Sequence, residues 1–310
     1  MRTTVLAGAA LFALPADAGI FCVNTSATLQ SAIASANSDP EGTVEDIRVR
    51  PGSYSLPGGI NFNPAGDKDN KDFSITGGWN AHCTARTINP TATLISAQNG
   101  ASRGSFRFLG DHQRIVVESL AFRNFDEFAI DEPECGFAQI CPGTDAVRVR
   151  YNDLRNGDTV TLAIDDSAQL SVTGNLFANL AGDSQKHTVS IFYLSGGAAA
   201  NIGFNTFAGL QCGGNFEPIF VSSASPGTLI HHNVIQTSCG NSLYLADSGG
   251  SNFDLRNNLY GGRDGGAPAS ATGNVITTDP RFANAAAGDF HLRESAPIPP
   301  SNGGARPLVS

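Results

Sequence analysis

The hexapeptide Val172-Thr173-Gly174-Asn175-Leu176-Phe177 is one copy of a pattern that recurs through the second half of the chain. The pattern consists of an apolar residue, two variable positions, Asn, one variable position and a second apolar residue. Its Asn stands at Asn152, Asn175, Asn205, Asn233, Asn258 and Asn274. An earlier copy at 117–122 carries Leu120 in place of the Asn. Subtracting successive Asn numbers gives 23, 30, 28, 25 and 16, a period that is typical of the stacked coils of a solenoid.

A segment with apolar residues at every second position precedes most copies of the pattern, as in Val160/Leu162/Ile164. Such alternation predicts a β-strand, so we expect three short strands in each coil. Asn tolerates a positive φ better than any other non-glycine residue, and we therefore expect the recurring Asn to form a sharp corner between two strands. Stacking of the coils would align these side chains into a hydrogen-bonded ladder.

This order of strand, turn, strand, Asn corner and short third strand resembles the right-handed parallel β-helix of the pectate lyase-like superfamily. The resemblance covers most of the chain and agrees with the usual hand of parallel crossovers. Segments 29–33, 51–54 and 75–79 resemble the start of exported bacterial β-helix proteins, most of which have no assigned activity. Segments 279–282 and 288–292 resemble the close of the same proteins. The resemblance implies an all-β fold, a right-handed parallel β-helix solenoid.

The ends of the chain predict an exported protein with a capped solenoid. Residues 1–18 combine Arg2, an apolar run and Ala16-Asp17-Ala18, which is typical of a secretory signal peptide. Residues 19–310 are then one β-helix domain, with an N-terminal cap at 19–45, coils at 46–282 and a tail at 283–310. Within the cap, an amphipathic helix that starts at Thr25 or Ser26 is expected to cover the first coil.

The cysteine content and the charge balance indicate the compartment of the protein and the class of its partner. The six cysteines suggest disulfides in an oxidising compartment, and we favour Cys22–Cys83, Cys135–Cys141 and Cys212–Cys239 among 15 connectivities. With 28 acidic against 19 basic residues and no basic run, nothing favours a nucleic-acid partner. After the signal peptide, no segment approaches the length of apolar sequence that a membrane span requires.

Acidic residues follow two of the alternating strands. When each strand is aligned by its last inward residue, Asp131 lies beside Asp165 on the next coil, about 5 Å away, with Glu132 and Asp166 adjacent. Crowded carboxylates raise one another's pKa, which suits a general acid, and they also suit a Ca²⁺ site. Asp131, Asp165 and Asp166 are therefore candidate catalytic residues, and Glu132 is a candidate substrate contact. The alternative is that these acids are solvated turn formers.

The same alignment places Arg107 and three aromatic residues, Phe192, Phe220 and Tyr244, in one outward row. Arg107 is a candidate contact for an acidic sugar. The aromatic row is interpreted either as a platform on which sugar rings stack or as an apolar stripe covered by the tail after Phe282.

These observations lead to two hypotheses of different class. The first is an exported, non-catalytic β-helix protein that presents an extended surface to a polysaccharide or to a cell-envelope glycan. The second is a polysaccharide lyase or glycoside hydrolase that uses the carboxylates named above. Neither requires a cofactor, apart from the Ca²⁺ that the acidic residues could hold, and both leave the oligomeric state open.

Overall fold

The computed structural model of this chain describes residues 19–38, 44–63, 72–109, 114–131, 146–164, 169–182, 187–193, 200–212, 217–223, 226–237, 239–246, 252–297 and 304. The predicted signal peptide, the pair Cys135–Cys141, and Glu132, Asp165 and Asp166 lie outside these residues. Most of the described chain forms short strands in three long parallel sheets, so the fold is an all-β parallel solenoid with an N-terminal helix.

Successive strands of the chain join the three sheets in turn, and each coil adds one strand to each sheet. Sheet 1 consists of Gly19–Val23, Glu45–Val49, Asp72–Thr76, Arg114–Glu118, Ala146–Arg150, Leu170–Thr173, Asn201–Gly203, Thr228–His231, Phe253–Arg256 and Ser270–Thr272. Sheet 2 consists of Gly52–Ser55, Thr93–Ser96, Ala121–Arg123, Asp153–Arg155, Leu176–Ala178, Thr206–Leu210, Val234–Thr237, Leu259–Tyr260 and Val275–Ile276. Sheet 3 consists of Gly59–Phe62, Ser102–Leu109, Phe125–Asp131, Thr159–Ile164, Val189–Tyr193, Ile219–Ser223, Leu243–Ala246 and Arg263–Gly265, and Gln98–Asn99 pairs with its second strand in antiparallel fashion.

The core is built from inward rows in which one apolar side chain per strand stacks on the next coil. In sheet 1, Val149 pairs with Val172, and Val172 pairs with Ile202. In sheet 2, the rings of Phe177 and Phe207 are parallel within 7°, with centroids 4.8 Å apart. These side chains are at most 2% exposed. The alternating pattern therefore produces one continuous core along the stack, as the period-2 geometry of strands requires.

The recurring Asn residues form the predicted ladder, and all its members from Asn152 to Asn258 are buried. The Oδ1 atom of Asn205 accepts hydrogen bonds from the backbone N–H of Asn175 and from its Nδ2, both at 3.0 Å. The Nδ2 atom of Asn205 donates to Val172 O at 2.8 Å and to Asn233 Oδ1 at 3.0 Å. The ladder starts at Leu120, whose backbone N–H donates to Asn152 Oδ1 at 3.1 Å.

The expectation that the ladder Asn itself has a positive φ is wrong. The left-handed residue is the one before it, namely Tyr151, Gly174, Phe204, His232, Asn257 or Gly273. The ladder requires the backbone N–H and the side chain of each Asn to point along the stack, so the turn is made one position earlier. A second corner, missed from the sequence, has a positive φ four residues after the ladder position, at Asn124, Asn156, Asn179 and Gly209.

The N-terminal cap agrees with its prediction. The helix spans Ser26–Ser38, and its buried face consists of Leu29, Ala32, Ile33 and Ala36. The backbone N–H of Thr28 donates to Thr25 Oγ1 at 3.1 Å, which makes Thr25 the N-cap residue. Sheet 1 already begins before the helix, with Gly19–Val23 paired to Glu45–Val49.

Two disulfides have the predicted partners. Cys22–Cys83 has a Cα–Cα distance of 5.8 Å and links the first strand to the loop after Gly77, whereas Cys212–Cys239 has a distance of 6.0 Å and links two successive coils. Within the described residues, no helix has the length and apolar character that a membrane crossing requires.

Candidate functional site

The outer face of sheet 3 carries one row of outward side chains, and the backbone register defines a second row beside it. All the described candidate residues belong to these two rows. The first row runs Asn61, Arg107, Ala129, Thr161, Ser190, Phe220, Tyr244 and Asp264. The second row is defined by the backbone register Leu109, Asp131, Ala163, Phe192, Ser222 and Ala246.

The predicted register between the two acidic strands is wrong by two residues. Ile130 pairs with Leu162, so that Asp131 pairs with Ala163 rather than with Asp165. The strand Thr159–Ile164 contains three apolar residues at period 2, and a shift of two residues keeps every side chain on its face. The apolar pattern therefore fits both registers equally well. The catalytic or calcium-binding roles of Asp131, Glu132, Asp165 and Asp166 remain predictions.

Arg107 lies in the outward row, as predicted, and it has a partner within the protein. Its Nη2 atom is 2.7 Å from Glu127 Oε2, and its Nε donates to the same oxygen at 2.9 Å. The Arg107 side chain is 51% exposed, so the guanidinium is accessible while it is paired. An acidic sugar at this position would have to compete with Glu127 or share the guanidinium with it.

Two of the three predicted aromatic residues lie side by side. Phe220 pairs with Tyr244, and their rings are parallel within 7°, with centroids 5.6 Å apart. Phe192 belongs instead to the second row, where it pairs with Ser222. The prediction that all three aromatic residues share one row is therefore wrong. As with Asp131, the predicted strand register was shifted by two residues.

His187 completes this cluster, and no sequence pattern predicted its position. Its ring stacks on Phe220 at 4.7 Å and lies 6.2 Å from the ring of Tyr244. Its Nδ1 lies 2.6 Å from the backbone oxygen of Glu217. Because a carbonyl can only accept, Nδ1 carries the proton, which fixes the orientation of the ring. We call His187, Phe220 and Tyr244 the aromatic cluster; all three are half-buried.

The described part of the tail does not cover the aromatic cluster. Strands Phe282–Asn284 and Asp289–Leu292 form an antiparallel hairpin, and Phe282 packs with Ala208, Val234 and Leu259. Those three residues belong to sheet 2. For residues 282–297, the interpretation of the aromatic row as a stripe beneath the tail is therefore wrong.

The C-terminal hairpin instead closes a cleft over sheet 2, which the sequence did not reveal. The cleft has a volume of about 190 Å³ and lies between the turn at 89–91 and the hairpin turn at 288–291. Its floor includes Asp153, whose carboxylate is 3% exposed and accepts from Arg123 Nη2 at 2.8 Å and from Arg155 Nε at 2.7 Å. Burial lowers the pKa of Arg123, and the neighbouring Asp153 carboxylate partly offsets that shift. The Asp153 carboxylate is thus held by two guanidinium groups and is poorly placed to act as an acid or base.

In the described ranges, no three His, Cys, Asp or Glu side chains lie close enough together to hold a metal ion. No family model matches the chain, and no curated protein matches it.

Proposed function

We propose that this chain is an exported parallel β-helix protein of the pectate lyase-like type, and that the outer face of sheet 3 binds a glycan without cleaving it. The coil architecture and the Asn ladder support the comparison with that superfamily. The signal-peptide pattern and the two disulfides support export to an oxidising compartment.

The observation that carries the proposal is the aromatic cluster. Phe220 and Tyr244 are parallel and partly exposed on a flat sheet face, and His187 stacks against them. Aromatic side chains combine a large apolar area with an electron-rich face, which suits the C–H-rich faces of sugar rings. A half-exposed group of three rings is costly to leave in water, and a ligand would bury it.

The residues next to the cluster suit a polar chain molecule. Ser190 and Thr161 follow Phe220 in the first row, one coil apart each, at about 4.8 Å per coil. Thr161 is half-buried, and its hydroxyl can donate and accept hydrogen bonds, as sugar hydroxyls require, whereas Ser190 is buried. The row thus provides stacking surface at one end and a hydroxyl towards the middle, along the direction in which an extended polymer would lie.

Binding is favoured over hydrolysis because of the register of sheet 3. A glycoside hydrolase needs two carboxylates at a defined separation across the scissile bond. The structure pairs Asp131 with Ala163 and not with a second carboxylate.

The proposal is tested by measuring the affinity of the purified protein for a panel of soluble neutral and acidic polysaccharides. Phe220→Ala and Tyr244→Ala are each expected to weaken binding about tenfold, because each removes a stacking surface worth about 1–1.5 kcal/mol. Ile276→Ala is the control, since Ile276 is an apolar side chain, 71% exposed, on sheet 2. Equal affinities in all three variants would reject the aromatic cluster as the site.

The same panel tests the enzymatic alternative. Incubation with each polysaccharide is expected to release neither reducing ends nor unsaturated products. Turnover that is lost in Asp165→Ala would instead establish a lyase or hydrolase.

A further inference from the structure

The outer face of sheet 1 carries two neighbouring arginines, Arg148 and Arg150, on the strand Ala146–Arg150. They alternate with Val147 and Val149, which are fully buried, so both guanidinium groups point outwards. Arg148 pairs in register with Ser171 on the next coil, and Arg150 pairs with Thr173. These four side chains therefore form one contiguous patch, which we call the arginine patch.

The arginine patch has more positive than negative charge. Glu118 is the carboxylate next to it, 4% exposed, and it is shared between Arg86 at 2.8 Å and Arg150 at 2.9 Å. Arg148 is half-buried and has neither a hydrogen bond nor an ion pair within the described residues. Among the described residues, Arg86, Arg148 and Arg150 face one carboxylate, Glu118, which leaves an excess of two positive charges there, in a chain whose formal net charge is −9.

Donors in the arginine patch are also left without acceptors. The Nε atom of Arg150 is buried and has no acceptor in the part of the chain that the structure describes. The hydroxyls of Ser171 and Thr173 likewise have no hydrogen-bond partner among the described residues. A buried donor without an acceptor is rare in folded proteins and costs free energy.

This arrangement matches the needs of an oxyanion. A guanidinium binds carboxylate and sulfate oxygens through charge-assisted, often bidentate hydrogen bonds. Arg148 and Arg150 are two residues apart on one strand, so their Cα atoms are about 7 Å apart, and the two hydroxyls lie about 4.8 Å further along the stack. An anionic group between them would offset the repulsion of the two arginines and accept from the Arg148 guanidinium and the two hydroxyls. The Nε atom of Arg150 is buried and lies beyond its reach.

We infer that the arginine patch is a binding site for oxyanions carried on a polymer, namely the sulfate or carboxylate groups of an acidic polysaccharide. Arg148 is its principal contact, and Ser171 and Thr173 supply neutral hydrogen bonds. The site lies on sheet 1, separate from the aromatic cluster on sheet 3, and its argument does not use that cluster.

The probes are dextran sulfate and polygalacturonate, with uncharged dextran as the ligand control, measured at low and at physiological salt. Arg148→Gln is expected to weaken binding of at least one charged polymer by tenfold or more, and Ser171→Ala by about two- to fivefold. Arg114→Gln is the matched control, because Arg114 lies on the same sheet and is already paired with Asp72. It is expected to change the affinity less than twofold. Which polymer responds distinguishes sulfate from carboxylate.

Equal effects of Arg148→Gln and Arg114→Gln, or no binding of either charged polymer, would overturn the inference. Equally tight, Arg148-dependent binding of a single-stranded oligonucleotide would also overturn it, since the partner would then be a nucleic acid. The salt-dependent part of charged-polymer binding separates the two proposals, because it is expected to be lost in Arg148→Gln and retained in Phe220→Ala. Thermal unfolding in sulfate and chloride at equal ionic strength gives a second readout: sulfate should raise the Tm less in Arg148→Gln.

Discussion

His231 and His232 form the centre of a directed chain of hydrogen bonds on the outer side of sheet 1. His231 Nε2 lies 2.8 Å from Asn201 Oδ1, an acceptor, so Nε2 carries the proton. His231 Nδ1 must then accept from His232 Nδ1, 2.9 Å away, and His232 Nε2 accepts from Asn257 Nδ2 at 3.3 Å. Every bond in this chain requires His231 to be neutral. Burial, together with the nearby His232 and Arg256, lowers the pKa of His231 to about 4.

We therefore expect the protein to lose stability as the pH falls through the range from 6.5 to 4. In the unfolded chain His231 takes up a proton near pH 6.5, whereas in the folded state it does so only near pH 4, so acid favours the unfolded state between these values. The neutral form contributes its full stability above pH 6.5, and the loss is complete below pH 4. Because the ring is half-buried, the expected loss is about 1–2 kcal/mol.

Urea unfolding at several pH values between 4 and 7 measures this loss. In His231→Phe the dependence of the free energy of unfolding on pH should be shallower over that range. His82→Gln removes a histidine from an exposed turn and serves as the control. An unchanged pH dependence in His231→Phe would contradict the assignment.

At the scale of elements, Arg155 joins the C-terminal hairpin to sheet 2. Its Nε bonds to Asp153, while its Nη1 donates to the backbone oxygen of Gly288 at 3.1 Å and its guanidinium lies 5.6 Å from the centre of the Phe290 ring. Gly288 has a φ of 77° and ends the short turn of the hairpin. One side chain of the solenoid thus positions the segment that closes the cleft.

Arg155→Met is expected to release the hairpin while leaving the coils intact. Asp153 keeps its ion pair with Arg123, so the buried carboxylate is still paired and the global cost should be about 1–2 kcal/mol. Amide hydrogen exchange should therefore rise in 282–292 but not in Asp153–Arg155. Arg256→Met is the control, since Arg256 pairs with Asp254 far from the hairpin. Unchanged exchange in the hairpin would show that Phe282 and its apolar neighbours hold it without Arg155.

The sequence predicted those elements that depend on local pattern. The Asn pattern predicted the coils and the ladder, the apolar face of Ser26–Ser38 predicted the cap, and one-coil spacing predicted Cys212–Cys239. Three results required the structure. The register of sheet 3 is ambiguous at period 2, His187 joins the aromatic cluster from outside the strands, and the cleft is closed by a contact between residues 133 positions apart.

At the scale of the whole molecule, the solenoid is a one-dimensional stack in which each coil contacts mainly its neighbours. The Asn ladder links each coil to the next by hydrogen bonds. Its inner members are covered by a coil on either side. The last member, Asn274, is only partly buried, and the last coil exposes Ile276. The cost of losing a ladder residue should therefore depend on its position along the stack.

Asn205→Ala is expected to lower the free energy of unfolding by about 2–5 kcal/mol, because it leaves Val172 O and the backbone N–H of Asn175 buried without partners. Asn274→Ala should cost less than about 1 kcal/mol, since water can reach that coil. Denaturant unfolding of both variants provides the comparison. Similar losses at the two positions would mean that the ladder is not the source of the stability.

The ladder also has a polarity. In every step from Asn152 to Asn274, the backbone N–H and the Nδ2 of one Asn donate to the Oδ1 of the next Asn towards the C terminus, so each side-chain oxygen points back along the stack. Each Nδ2 also donates to a backbone oxygen of the preceding coil, as Asn152 does to Val117 O. The side-chain amide dipoles therefore add instead of cancelling, much as peptide dipoles do along a helix. The N-terminal end of this row is closed by Leu120, which contributes a single donor, whereas the last described member, Asn274, accepts from Asn258 through its Oδ1 atom. The two ends of the row are thus electrostatically different within the described residues, and a second chain arriving head to tail would continue the row in the same sense.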